Sequence, residues 1–195
     1  MKLYIWSALI LTSLIAVPAL MAQDQDAFEV GAFGEWFRYT NAPTTQNFIG
    51  LGGRVGVGLG SHAQIEAELA YDFKKNYTST FTNGVTTSLV NTSFRTLHGF
   101  FGPKLHADVG PLQVFVTGKV GFDNFSVNNQ NAPAGFTNTV GLTNGTTAFA
   151  VYPGGGIELF AHWVGIRLEA GDDIFFLNGN AHNNLRVSFG PQFRF

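Results

Sequence analysis

Arg54 and Glu68 lie seven residues either side of Ser61. If a tight turn centres on Ser61, the two oppose each other on neighbouring strands. Such a pair could gate a lumen, or it could simply neutralise buried charge, and the second is the expectation. His62, His106 and His162 supply three imidazoles able to ligate Zn²⁺ or Cu²⁺. They show no ligand spacing, so they read as solvated turn residues and no metal is expected. Gly58-Leu-Gly60-Ser-His-Ala63 loosely matches a dinucleotide fingerprint, but strand-like sequence follows where that fingerprint needs a helix. His98 could serve as a general base, yet a nucleophilic site needs a hydroxyl beside the base. The residue two on from His98 is Phe100, and Ser188 has no His two residues away. No catalytic residue and no cofactor is therefore expected.

The elements that would carry these residues are strands. Leu185 to Phe195 alternates strictly: Leu185, Val187, Phe189, Pro191, Phe193 and Phe195 against Arg186, Ser188, Gly190, Gln192 and Arg194. Seven more segments alternate in the same way, at 28–39, 49–59, 63–73, 94–105, 112–123, 147–159 and 163–173. At about 3.3 Å per residue and a tilt of about 40°, eleven residues rise roughly 27 Å, close to the apolar band of an outer membrane. The connections alternate between short (60–62, 106–111, 160–162) and long (40–48, 74–93, 124–146, 174–184). Short turns on one end and long loops on the other are the asymmetry of outer-membrane barrels. Both chain ends would then lie on the periplasmic side.

Charge placement assigns the faces. The polar face carries nine acids (Glu29, Glu35, Glu66, Glu68, Asp72, Asp123, Glu158, Glu169 and Asp173) and six bases (Arg54, Lys104, Lys119, Arg167, Arg186 and Arg194). No charge falls mid-strand on the apolar face, where a Lys or Arg would cost about 2–4 kcal/mol at the bilayer midplane. Glycines among the polar positions leave room for long charged side chains in a narrow interior. A soluble ligand-binding barrel would turn its apolar residues inward. The prediction is an all-β, eight-stranded antiparallel up-and-down transmembrane β-barrel with apolar residues outside. Its interior would hold a charge network of Arg54, Glu66, Glu68, Lys104, Lys119, Glu158, Arg167, Glu169, Arg186 and Arg194.

Residues 1–22 read as a cleaved signal peptide: Lys2, an apolar run from Leu3 to Val17, then small residues up to Ala22. Residues 23–195 would form the barrel. The chain has no Cys, so no disulfide framework supports it and no lipid attachment is expected. The net charge of −2 and the lack of basic clusters argue against a nucleic-acid partner. The loops contain Asn76-Tyr-Thr78, Asn91-Thr-Ser93, Asn124-Phe-Ser126 and Asn144-Gly-Thr146, which match a glycosylation pattern but read as ordinary polar loop sequence. Phe125, Phe136 and Leu142 could form an adhesive tip or pack on one another.

Three stretches resemble a known family: Gly99-Phe-Phe-Gly-Pro-Lys-Leu105, the 149–159 strand with Gly154-Gly155-Gly156, and the ending Asn183 to Phe195. They are similar to bacterial OmpA-like, porin-family outer-membrane β-barrel proteins. The resemblance implies residence in the outer membrane of a Gram-negative type bacterium. It implies contact with outer-membrane lipid including lipopolysaccharide. It also implies recognition by the barrel assembly machinery through Phe189, Phe193 and the terminal Phe195. The sequence ends at Phe195, where full-length OmpA continues into a peptidoglycan-binding domain, so no cell-wall anchor is expected. The expected role is structural or surface-interacting, as a monomer, with an extracellular partner met through loops 74–93 and 124–146. A narrow channel for small solutes or ions is the alternative, and a lipid-modifying enzyme a third.

Overall fold

A computed structural model describes residues 28–40, 45–82, 87–130 and 144–195. The signal-peptide segment, Phe136 and Leu142 lie outside these residues. The strands are β1 (Phe28–Tyr39), β2 (Gln46–Gly58), β3 (Ala63–Asp72), β4 (Lys75–Thr82), β5 (Thr87–Val109), β6 (Leu112–Gln130), β7 (Thr146–Ala161), β8 (Val164–Leu177) and β9 (Asn180–Arg194). Each pairs antiparallel with its neighbours. β1 closes on β9, with Glu29 opposite Arg194 and Arg38 opposite Leu185. β3 and β4 are consecutive halves of one stave, since both pair with β5: Ala70 opposite His98, then Lys75 opposite Phe94. The result is a closed barrel of eight staves. Closure satisfies the backbone groups that an open edge would leave bare in hydrocarbon.

Side-chain direction follows the charge-based assignment. Phe189, Val116 and Leu69 point outward and are 56 %, 59 % and 54 % exposed, whereas Glu66 and Arg186 point inward at 1 % and 2 %. In a soluble fold these values would be reversed. In a bilayer the outward residues meet lipid tails and the interior holds the charges. Among the described residues no helix is long and apolar enough to cross a membrane; the strands provide the crossing.

The strands run further than the hydrophobic alternation indicated. Segment 74–93, expected as a loop, is mostly a hairpin. In it Thr78 opposes Asn91 and Thr82 opposes Thr87. β6 continues to Gln130, opposite Asn91. The expected loop 174–184 reduces to a two-residue turn, Asn178-Gly179, with both φ values positive (52° and 79°). Asn-Gly is the residue pair that a tight hairpin of this hand favours. On the opposite end the turns are also tighter, since Val109 opposes Leu112 and Ala161 opposes Val164.

The physical reason is common to all of these. Beyond the bilayer both faces of a strand can be polar, so hydrophobic periodicity vanishes although pairing continues. The Asn, Ser and Thr residues there bond across the ladder instead. Ser93 Oγ donates to Asn76 Oδ1 at 2.9 Å, and Thr78 Oγ1 donates to Asn91 Oδ1 at 2.9 Å. Much of the apparent glycosylation pattern is this cross-strand polar pairing.

Three tight turns, 59–63, 110–111 and 162–163, share one end with the closure of the termini. At that end Phe28 and Phe195 exchange backbone hydrogen bonds in both directions, at 3.1 and 2.8 Å. The long hairpins stand at the other end.

Candidate functional site: a charged interior beneath an aromatic plug

Polar-face parity places the interior residues in three levels. Nearest the tight turns, Lys104 Nζ on β5 donates to Glu29 Oε2 on β1 at 2.9 Å and to both oxygens of Glu158 on β7 at 3.0 Å. Arg194 reaches Glu29 from the rim at 3.3 Å. In the middle level, Arg167 on β8 bonds Glu66, Glu158 and Glu169 together. Lys119 joins Glu68 at 2.7 Å and Glu169 at 3.3 Å. Arg186 on β9 binds Glu35 at 2.6 Å and Glu68 at 2.7 Å. The ten residues expected in the interior network lie in one connected array together with Glu29 and Glu35, and Glu29 links Arg194 to Lys104. Each carboxylate of this network faces at least one cation at hydrogen-bonding distance, which offsets the cost of burying it.

The expected pairing of Arg54 with Glu68 needs correction. The two are opposite in register. Arg54 instead donates across the lumen to Glu169 at 2.8 Å and to Ser188 Oγ at 3.0 Å. Its guanidinium lies over the Phe33 ring, 4.2 Å from the centroid. Glu68 is already held by Lys119 and Arg186. A side chain as long as Arg can cross a narrow lumen, so register alone does not choose its partner.

Above the charges lies a group that the sequence reading left out of the interior. Phe37, Tyr39, Phe48, Phe94, Phe125 and Phe175 are fully buried and form one cluster. Phe125 and Phe175 are 5.0 Å apart edge-on, Phe48 and Phe94 5.2 Å, and Tyr39 stacks on Phe175 at 6.0 Å. Phe125 therefore plugs the barrel and does not form an adhesive tip. The signal was present: Phe37 and Tyr39 share the parity of Glu29 and Glu35, and Phe94 that of Thr96 and His98. Composition hid it, because apolar residues were assigned to lipid.

Between plug and network sits His98. Its Nδ1 is 2.8 Å from Asp123 Oδ1 and 3.2 Å from Asp173 Oδ2, and its Nε2 is 2.9 Å from Asp72 Oδ2. Both ring nitrogens face carboxylates, so no hydroxyl sits where a nucleophile would be activated. Gly50 makes room here, since a Cβ on it would lie 2.8 Å from oxygens of both Asp72 and Glu35. The histidines expected in turns are elsewhere: His62 lies in the β2–β3 turn, whereas His106 is within β5 and largely buried, and their ring centroids are 6.0 Å apart. Among the described residues neither they nor His162 belong to a group of three potential metal ligands.

The three assembly-signal candidates lie on and after β9. Phe189 faces outward, Phe193 stacks on Trp163 at 6.0 Å, and Phe195 is exposed beside the closure with Phe28.

No protein-family model and no curated protein matches the chain. Solved structures do match. The Neisserial surface protein A (NspA) is 10 % identical over 89 % of this chain and 100 % of its own, with a TM-score of 0.64. The Yersinia pestis attachment invasion locus protein Ail, in complex with the heparin analogue sucrose octasulfate, is 11 % identical over 85 % and 97 %, with a TM-score of 0.52. The N-terminal β-barrel domain of Pseudomonas aeruginosa OprF is 16 % identical over 89 % and 100 %, with a TM-score of 0.50. At these identities the likeness is one of fold. With its apolar exterior and closed antiparallel staves, the chain has the fold of the eight-stranded outer-membrane β-barrels.

Proposed function

We propose that the protein is an integral outer-membrane barrel of a Gram-negative type bacterium that acts through its long-hairpin end, with a structural interior and no catalysis. Export would use residues 1–22 as a cleaved signal peptide. The partners would be outer-membrane lipid including lipopolysaccharide, the assembly machinery during biogenesis, and an extracellular partner met through segments 74–93 and 124–146. The barrel would work as a monomer.

One observation carries this reading: side chains bridge the lumen from wall to wall. Arg54 on β2 reaches Glu169 on β8, Lys104 on β5 reaches Glu29 on β1, and the aromatic plug covers both. An eight-stranded interior is just wide enough for side chains to fill, so these bridges oppose a solute path. His98, a fully buried imidazole, has carboxylates at both ring nitrogens, which opposes the enzyme reading. The resemblance to NspA, a surface protein by name, and to Ail, an attachment invasion locus protein by name, favours work at the exposed end.

The test is planar-bilayer recording of the refolded full chain. The expected trace has no discrete openings, in the native chain and in Arg54→Ala and Glu68→Ala alike. Steady unitary openings in the native chain would instead establish the narrow channel. Altered lipid A in cells overproducing the protein would establish the enzyme.

A further inference from the structure

The interior charges divide unevenly. Six acids match six bases one to one: Glu29 with Arg194, Glu35 with Arg186, Glu66 with Arg167, Glu68 with Lys119, Glu158 with Lys104, and Glu169 with Arg54. The interior excess of acid is therefore confined to one place, where Asp72, Asp123 and Asp173 surround His98. With all three aspartates ionised, even an imidazolium there would leave two negative charges uncompensated. All four side chains are fully buried, and an isolated buried carboxylate is very costly.

A second, independent feature points to a ligand. Asp123 Oδ2, Asp72 Oδ1 and both oxygens of Asp173 are buried with no hydrogen-bond donor. His98 Nδ1 carries at most one hydrogen, and Asp123 Oδ1 is the nearer acceptor at 2.8 Å. Asp173 is thus held against the ring at 3.2 Å with nothing donating to it.

We propose that His98 Nδ1, Asp123 and Asp173 bind one divalent transition-metal ion, with Asp72 orienting the imidazole from its Nε2 side. Metal–ligand bonds of about 2.0–2.2 Å at right angles put neighbouring ligand atoms about 3 Å apart. The observed 2.8 and 3.2 Å spacings bracket that value. A ligating His donates its other N–H to a carboxylate in most protein metal sites, and Asp72 at 2.9 Å stands in that position. One imidazole with two carboxylates suits Mn²⁺ to Zn²⁺, and the nitrogen donor disfavours Ca²⁺ and Mg²⁺. The Nε2 side is the poorer site, because Glu35 there is already bonded to Arg186. Phe37 lies edge-on over His98 at 4.6 Å, so the ion would enter while the barrel closes.

The full chain is refolded into detergent micelles with Mn²⁺ or Zn²⁺ present, desalted, and analysed for metal. About one ion per folded chain is expected. Asp123→Asn/Asp173→Asn should retain at least about tenfold less, and Asp72→Asn should bind about 10- to 100-fold more weakly. His62→Ala/His106→Ala should retain the native amount. Pulsed electron paramagnetic resonance of the Mn²⁺-loaded native chain should show coupling to an imidazole nitrogen, a readout independent of whether the variants fold. Folded native chain without stoichiometric metal would overturn the proposal. So would bound Mn²⁺ lacking nitrogen coupling, or metal lost only with His62 and His106.

Discussion

Arg54 and Glu68 face each other across the β2–β3 ladder, yet the Arg54 guanidinium bonds to Glu169 on the far wall, 2.8 Å away. The interior is thus stitched across the lumen as well as along the staves. Arg167 makes five hydrogen bonds to three carboxylates, Glu66, Glu158 and Glu169. Arg167→Met should therefore destabilise the barrel by about 3–5 kcal/mol, because three buried carboxylates each lose a cation at once and the interior gains one net negative charge. Arg54→Met should cost less, because Glu169 keeps Arg167 and Lys119. Urea titrations of refolded protein in lipid vesicles, followed by tryptophan fluorescence, check the order. Equal loss from both substitutions would refute a graded network.

The outward face makes a position-dependent prediction. Val116→Lys should destabilise insertion by about 2–4 kcal/mol, as expected near the bilayer midplane. Leu89 is as exposed as any outward apolar residue, at 68 %, but lies on the hairpin five residues beyond Phe94. Leu89→Lys should cost at most about 1 kcal/mol. Equal penalties at the two positions, measured by the same titration, would mean that the hydrocarbon band lies elsewhere.

The aromatic plug is a packed core. Phe125→Ala should cost about 3–5 kcal/mol while leaving planar-bilayer current at baseline, because the ion-paired levels still bridge the lumen. The midpoint of heat modifiability on gels reports the first effect. Discrete openings in Phe125→Ala would show that the plug, and not the charge network, seals the barrel.

Phe195 is exposed beside the barrel seam. If it acts as an assembly signal, Phe195→Ala should lower the amount of folded protein in the outer membrane of cells, with refolding yield from urea into micelles unchanged. An equal loss in both assays would assign Phe195 a purely structural role at the closure with Phe28.

Strand identity inside the bilayer and the facing of the charged residues were legible in the chain itself. Hydrocarbon outside and charge inside impose opposite demands on alternate residues, and that contrast is written as a period of two. Where the contrast fades, legibility fades with it. The Asn/Ser/Thr-rich hairpin of β4 and β5 read as a loop, and so did 174–184, although Asn178-Gly179 offered a turn signal there. Phe37 and Phe94 had no assigned face and Phe125 read as part of a loop tip, although their parity placed all three inside.

Which charges meet was left to the tertiary structure. A closed cylinder brings β2 within reach of β8 and gathers Asp72, Asp123 and Asp173 around His98 from three different staves. Periodicity along a strand specifies a face. Contacts across a lumen depend on closure, stagger and the reach of each side chain, and no local pattern encodes those.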